Sequence, residues 1–255
     1  MILTDRRGAL RMGAAAAVAG ALTTACAGHD SPPVPAAPAT TPPAPAPAPG
    51  PRRFPGRPAQ ITHGPTGRPR VALTFHGGGD PATARALLAE AERGGARLTV
   101  LAVGSWLDEH PAMARRILDG GHELGNHTQR HLDINAMAED EAYAEITTCA
   151  TRLRRLTGSI GTWFRPSRAK AASPLVQRLA QRAGYPHVLS YDVDSLDFTS
   201  PGAPAVLRTV TRQIRNGSVV SLHFGYADTV AALPALLDEL DRRGLRAVTT
   251  TELLT

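Results

Sequence analysis

Cysteine is almost missing from this 255-residue chain, which carries only Cys26 and Cys149. A disulfide framework is therefore excluded as a source of stability, and with Cys26 spoken for at the N-terminal side of the fold a single thiol remains. Cys149 falls in a helical pattern, where a small buried hydrophobe is its expected role. Long apolar runs are missing too. The best candidate, residues 12–22, is Ala/Gly-rich and well short of the about 20 residues that a membrane span needs. The formal net charge of +6 dissolves once the chain is divided. From Arg70 onward 21 basic residues face 20 acidic ones, which leaves no argument for a nucleic-acid partner.

What is there begins with an export leader. Arg6 and Arg7 in D-R-R-G-A-L-R resemble a twin-arginine signal, although Ala9 stands where a bulky residue is usual. Thr23-Thr24-Ala25-Cys26 resembles a lipobox. Residues 1–25 are read as a signal peptide and Cys26 as the lipidated N-terminus of a membrane-anchored lipoprotein. Ordinary cleavage and secretion, with Cys26 an unmodified thiol, is the alternative. Twelve of the 22 prolines then fall between Ser31 and Pro58, interleaved with Ala and Thr. Such a stretch buries too little apolar surface to offset its ordering entropy, so residues 26–69 are predicted to be a disordered stalk. At about 3.1 Å per residue it reaches on the order of 100 Å, into the cell wall beyond the membrane.

Residues 70–255 alternate β-branched apolar runs with amphipathic stretches. Strands are predicted at 71–75, 98–103, 122–124, 162–164, 187–191, 218–222 and 246–248. Helices are predicted at 81–93, 111–119, 138–156, 174–183, 204–214 and 230–242. Repeated strand–helix alternation implies an α/β fold with a parallel sheet. Seven short strands favour an irregular (β/α) barrel over a doubly wound open sheet. In either architecture chemistry gathers at the C-terminal strand ends. His76, His127, Arg165, Asp194, Asp197 and His223 each follow a predicted strand, so one shared pocket is expected.

His127 and His131 in G-H-E-L-G-N-H-T-Q-R-H have the spacing that, on a helical turn, points two imidazoles the same way toward a metal. In isolation two surface histidines explain the pair equally well. Four other segments accompany it in order: T-F-H-G-G-G-D from Thr74, F-R-P-S-R from Phe164, D-V-D-S-L-D-F from Asp192 and S-V-V-S-L-H-F from Ser218. Together they resemble the polysaccharide deacetylases, the NodB-homology fold of carbohydrate esterase family four. The resemblance implies a hydrolase that removes N-acetyl groups from a cell-wall or extracellular glycan, peptidoglycan among the candidates. It also implies a divalent metal, usually zinc, which activates water against the amide. By position His127 and His131 are metal ligands, His223 is the general acid and Arg165 orients the base. Asp197, with Asp194 as the competing choice, orients the acid, and the backbone N–H of Arg168 donates to the oxyanion.

The first segment departs from the family pattern T-F-D-D-G. His76 stands in place of the general base and Gly77 in place of the metal-binding aspartate. Ser221 also stands where a leucine usually lines the pocket. Three readings of His76 follow: a third nitrogen ligand to zinc, with Gly77 leaving room for the ring to turn inward; a general base; or the mark of a site that only binds glycan. Against the second, Arg165 beside an imidazole opposes the imidazolium that a base must form. Asp80 before Pro81 is read as a helix cap and not a rescued ligand. Trp106 and Trp163 are read as core and not sugar platforms. His122 and Glu123 are read as structural, with Glu123 also a candidate to orient an imidazole.

Overall fold

The structure, a computed structural model, describes residues 46–255. The predicted leader, Cys26 and the first part of the predicted stalk lie outside the described residues. In chain order the elements are β1 (Gln60–Ile61), β2 (Arg70–Gly77), α1 (Pro81–Arg93), β3 (Thr99–Ala102), α2 (Gly104–Glu109), α3 (Ala112–Asp119), β4 (Glu123–Asn126), α4 (Glu139–Thr157), α5 (Pro174–Arg182), β5 (Val188–Leu189), β6 (Val193–Asp194), α6 (Ala203–Thr211), β7 (Val219–His223), α7 (Ala227–Arg242), β8 (Arg246–Ala247) and α8 (Thr250–Leu254).

Every strand ladder is parallel, in the order β4–β3–β2–β7–β6, with β8 beside the start of β2 and β1 beside β5. The predicted strand at 162–164 is reduced to one residue: Phe164 bridges to Asn126 on one side and Val188 on the other. That residue carries the pairing from β4 to β5, and the same chain runs on into β6. The result is an irregular α/β barrel, laddered on one side and joined by single bridges on the other.

Local chemistry explains where the helices start and stop. Asp80 accepts hydrogen bonds from the Thr83 N–H and hydroxyl, both at 2.8 Å, and Pro81 fills the first turn, so Asp80 is a cap. Ser173 caps α5 ahead of Pro174 in the same way. The nineteen-residue α4 ends at Gly158, whose φ of 80° suits a residue without a Cβ.

The two-residue period of the strands divides the molecule. Val71, Leu73 and Phe75 of β2, with Val100, Val220 and Leu222, face outward against Leu87 and Leu88 of α1 and Leu233 and Leu236 of α7. The alternate positions face inward and stack in layers. Ala72, Leu101, Trp163, Leu189 and Val219 form an apolar plug with Phe54 and Leu253. Above it lie Thr74, Arg165 and Ser221, joined through Arg165 Nη2 donating to Thr74 Oγ1 at 2.8 Å and Ser221 Oγ lying 3.0 Å from His76 Nε2. The imidazoles of His76, His127 and His223 form the mouth layer.

One boundary moves. Residues 46–69, assigned from composition to the stalk, are packed onto the barrel. Phe54 stacks on Trp163 with ring centroids 5.5 Å apart, and β1 pairs with β5. His187 Nε2 accepts from the Phe54 N–H at 3.0 Å, while its Nδ1–H donates to Pro58 O at 2.8 Å. Among the described residues no helix is long and apolar enough to cross a membrane.

Candidate active site

His76 and His223 are register partners at the ends of the adjacent strands β2 and β7, and their rings stack with centroids 4.3 Å apart. His127 follows β4 directly and meets His76 edge-on at 4.4 Å. One ring nitrogen from each of His76, His127 and His131 lies within 4.8 Å of the others. The sequence placed His127 and His131 on a helical turn, and this is corrected: Thr128 (φ 68°) and His131 (φ 58°) are left-handed and no helix forms. Asn126 Oδ1 accepts from the Thr128 N–H and Thr128 Oγ1 from the His131 N–H, so hydrogen bonds fold the turn back and bring the rings to 4.8 Å. Among the described residues the five non-glycine residues with positive φ are these two, Arg168, and Leu196 and Ser200 on either side of Asp197. Each such residue costs roughly 1–3 kcal/mol, a cost tolerated where aim matters.

His76 is held through both nitrogens. Its Nε2 faces Ser221 Oγ at 3.0 Å and Arg165 Nη1 at 3.4 Å, and its Nδ1 faces His127 Nε2 at 2.7 Å. A guanidinium can only donate, so Nε2 accepts and the Nδ1–H donates to His127. The His127 Nδ1–H in turn donates to Arg165 O at 3.1 Å, which leaves Nε2 as its ligand atom. Burial first, then the neighbouring His127, His223 and Arg165, hold His76 well below the usual imidazole range. Burial and His131 do the same to His127. Neutral imidazoles are the form a metal requires.

Arg165 is fully buried, with Nε donating to Leu189 O and Nη2 to Ser190 O, and it forms no ion pair among the described residues. Burial pushes its guanidinium down to about 9, which still leaves a cation at neutral pH. The opposite wall is paired. Asp197, buried, accepts from the His223 N–H at 2.8 Å, the His223 Nδ1–H at 2.7 Å and the Thr229 hydroxyl at 2.6 Å. This leaves His223 Nε2 unbonded to protein. Asp194 does not compete for His223; it accepts from the Tyr191 hydroxyl and the Leu196 N–H.

Gly77 also departs from expectation. A Cβ there would meet Val100 Cγ1 at 2.9 Å and Ala102 Cα at 3.0 Å, on the outward side of β2. The glycine therefore opens no space for the imidazole; His76 turns inward because strand alternation puts it there. Trp163 lies in the plug, and Trp106, almost as buried, borders the mouth and donates to Gly79 O at 2.8 Å. His122 accepts from the Leu98 N–H, and Glu123 accepts from Thr99, Trp163 and Thr251 below the site, so both are structural. Sequence reasoning missed Thr229, Tyr191 and Tyr226. None belongs to a motif, and only the folding of α7 and the β5–β6 segment brings them to the cluster.

A family model described as polysaccharide deacetylase matches residues 63–188. A peptidoglycan-N-acetylglucosamine deacetylase of Bacillus cereus is 31% identical over 188 residues, 72% of this chain and 87% of that one. The chain belongs to the polysaccharide deacetylases of carbohydrate esterase family four. A solved peptidoglycan N-acetylglucosamine deacetylase, bound to an N-hydroxybenzamide compound, superposes with a TM-score of 0.72 at 25% identity, covering 77% of this chain and 92% of that one. A Bacillus anthracis pseudoenzyme of the same family superposes with a TM-score of 0.73 at 24% identity, covering 78% of this chain and 70% of that one. A mutant of that protein is described as having restored enzymatic activity.

Proposed function

We propose that this chain hydrolyses N-acetyl groups on a cell-wall or extracellular polysaccharide, peptidoglycan first, using a divalent cation held by His127, His131 and His76. The observation that carries the reading is the convergence of three imidazoles, His76 from the end of β2 and His127 and His131 from the turn after β4, with one ring nitrogen of each within 4.8 Å of the others. An all-nitrogen donor set fits zinc, whose catalytic sites include three-histidine examples. The 2.7 Å contact between His76 and His127 is a hydrogen bond, closer than the about 3.3 Å between two nitrogens on one tetrahedral zinc. Holding a cation between His76 Nδ1 and His127 Nε2 would require the pair to give up that shared proton. With Nε2 protonated the Ser221 hydroxyl could turn to accept from it, while Arg165 Nη1, at 3.4 Å, would lose its acceptor.

Such a cation supplies Lewis acidity to the amide carbonyl and acidifies water. The rest of the chemistry belongs to side chains. His223, fixed by Asp197 through Nδ1, presents Nε2 to the mouth and protonates the departing amine. Arg165 holds His76 and opposes its protonation, so His76 serves as ligand and not as base. Arg168 borders the mouth, with its backbone N–H as the oxyanion donor. Export and anchoring through Cys26 fit a wall substrate, and loss of lipid labelling in Cys26→Ser tests them.

One observation favours a second reading, a glycan-binding protein without activity. Around His76 no carboxylate is free to act as base, since Asp197 and Asp194 are both engaged. Metal per chain, measured with and without His76→Ala beside acetate release from N-acetylglucosamine oligomers, separates the two. Metal and acetate lost together support the enzyme. Stoichiometric metal that survives His76→Ala, with no acetate from either protein, supports the binding protein.

A further inference from the structure

Two cavities meet at the histidine cluster. The larger, about 680 Å³, is floored by Gly77–Gly79 and Trp106. The smaller, about 360 Å³, is bounded by Arg168, Lys170, Tyr191, Asp194, Phe198 and Ser221. At ~30 Å³ per water it holds about a dozen waters, far more than an acetyl group occupies. Its wall is cationic. Arg168 and Lys170 are exposed and form no ion pair among the described residues. Lys170 Nζ lies 5.3 Å from the Tyr191 ring centroid, and the buried Arg165 guanidinium carbon lies 5.4 Å from the same centroid. Asp194 is the one acidic residue bordering the cavity, and its two oxygens already accept from Tyr191 and Leu196. Two cationic residues, Arg168 and Lys170, therefore border a space that offers them one engaged carboxylate, with the Arg165 guanidinium buried behind Tyr191.

We propose that this smaller cavity binds a carboxylate carried by the ligand, with Lys170 and Arg168 as the groups that recognise it. The inference rests on the reading of the site as one for N-acylated glycans, and names the substrate class as acidic. An ammonium and a guanidinium over an open, partly apolar cavity provide charge-assisted hydrogen bonds that a neutral sugar cannot use. Phe198, 46% exposed, supplies an apolar edge beside them. The carboxylate has two possible chemical sources, an ether-linked acid on the sugar or a dicarboxylic acyl group on its nitrogen.

Calorimetry on the full chain tests this with four probes: chitotetraose, a tetrasaccharide containing N-acetylmuramic acid, N-succinylglucosamine and free succinate. One of the two acidic sugars is expected to bind about tenfold tighter than chitotetraose, the equivalent of about 1.4 kcal/mol. Which one does so identifies the source. Lys170→Gln, at an exposed side chain, should remove most of that preference and leave chitotetraose binding unchanged. Equal binding of acidic and neutral sugars overturns the proposal, as does an equal loss for both sugar types in Lys170→Gln. Acetate release from chitotetraose without acid preference sinks the carboxylate site alone. Succinate binding that depends on Lys170, with no sugar bound, keeps the carboxylate site and sinks the glycan reading.

Discussion

The two walls of the mouth solve the same problem differently. On the β7 wall Asp197 is a buried anion matched by three donors, and its charge orients a neighbouring imidazole. On the β2 wall Arg165 is a buried cation matched only by carbonyls, a hydroxyl and the imidazole of His76. A buried carboxylate ringed by N–H and O–H donors has its charge answered by charge-assisted hydrogen bonds; a buried guanidinium with no carboxylate bonded to it rests on neutral acceptors alone. On the proposed reading the first wall suits the transfer of a proton. The second is built to receive negative charge.

The largest effects should come from the paired wall. Asp197→Ala strands three donors and should cost about 3 kcal/mol or more of stability, read by urea unfolding. A loss below about 1 kcal/mol would show the pairing to be incidental. His223→Ala should keep the fold and lower acetate release by about 10²–10⁴-fold. On the unpaired wall the sign reverses. His76→Asp gives Arg165 an anion and should stabilise the metal-free chain by about 1–3 kcal/mol. Destabilisation there would mean that the hydrogen bonds to Ser221 and His127 outweigh the missing charge.

Gly77→Asp should not repair the site, because the new Cβ strikes Val100 and Ala102. The overpacking is expected to cost about 1–3 kcal/mol, and adding Val100→Ala should recover part of it. A smaller, graded effect follows from pH. His76, His127 and His131 are all held below the ordinary imidazole value of 6.5, chiefly by burial. Below about pH 6.5 the unfolded chain therefore binds more protons than the folded one. The metal-free protein should be most stable above that pH and weaken as pH falls from about 6.5 toward 5. A stability profile that is flat across that window would show the imidazoles to be hydrated and free.

Much of this was legible beforehand, for identifiable reasons. The span of α1 from Pro81 to Arg93 matches its prediction, because a cap, a proline and an apolar stripe coincide in sequence. His76, Arg165 and His223 converge as expected because strand ends do. The turn holding His127 and His131 was misread. Four-residue spacing is shared by helices and by tight left-handed turns, and here side-chain hydrogen bonds from Asn126 and Thr128 decide between them. The choice between Asp194 and Asp197 was open for a similar reason, since only the short 3-10 turn Asp197–Thr199 after β6 aims one of them at His223. Residues 46–69 were hidden by composition. Proline richness signals a weak local preference, but it says nothing of a phenylalanine that finds a tryptophan more than a hundred residues away.

That last contact has a practical corollary. A gene shortened to begin at residue 70, where composition alone would cut, removes the stopper from the closed end of the barrel. Trp163 would open to water and both nitrogens of His187 would lose their partners. The histidine mouth lies at the other end of the same inward-facing column, separated from the plug by the layer that holds Thr74 and Arg165. The smallest sound version of this protein starts by about residue 46.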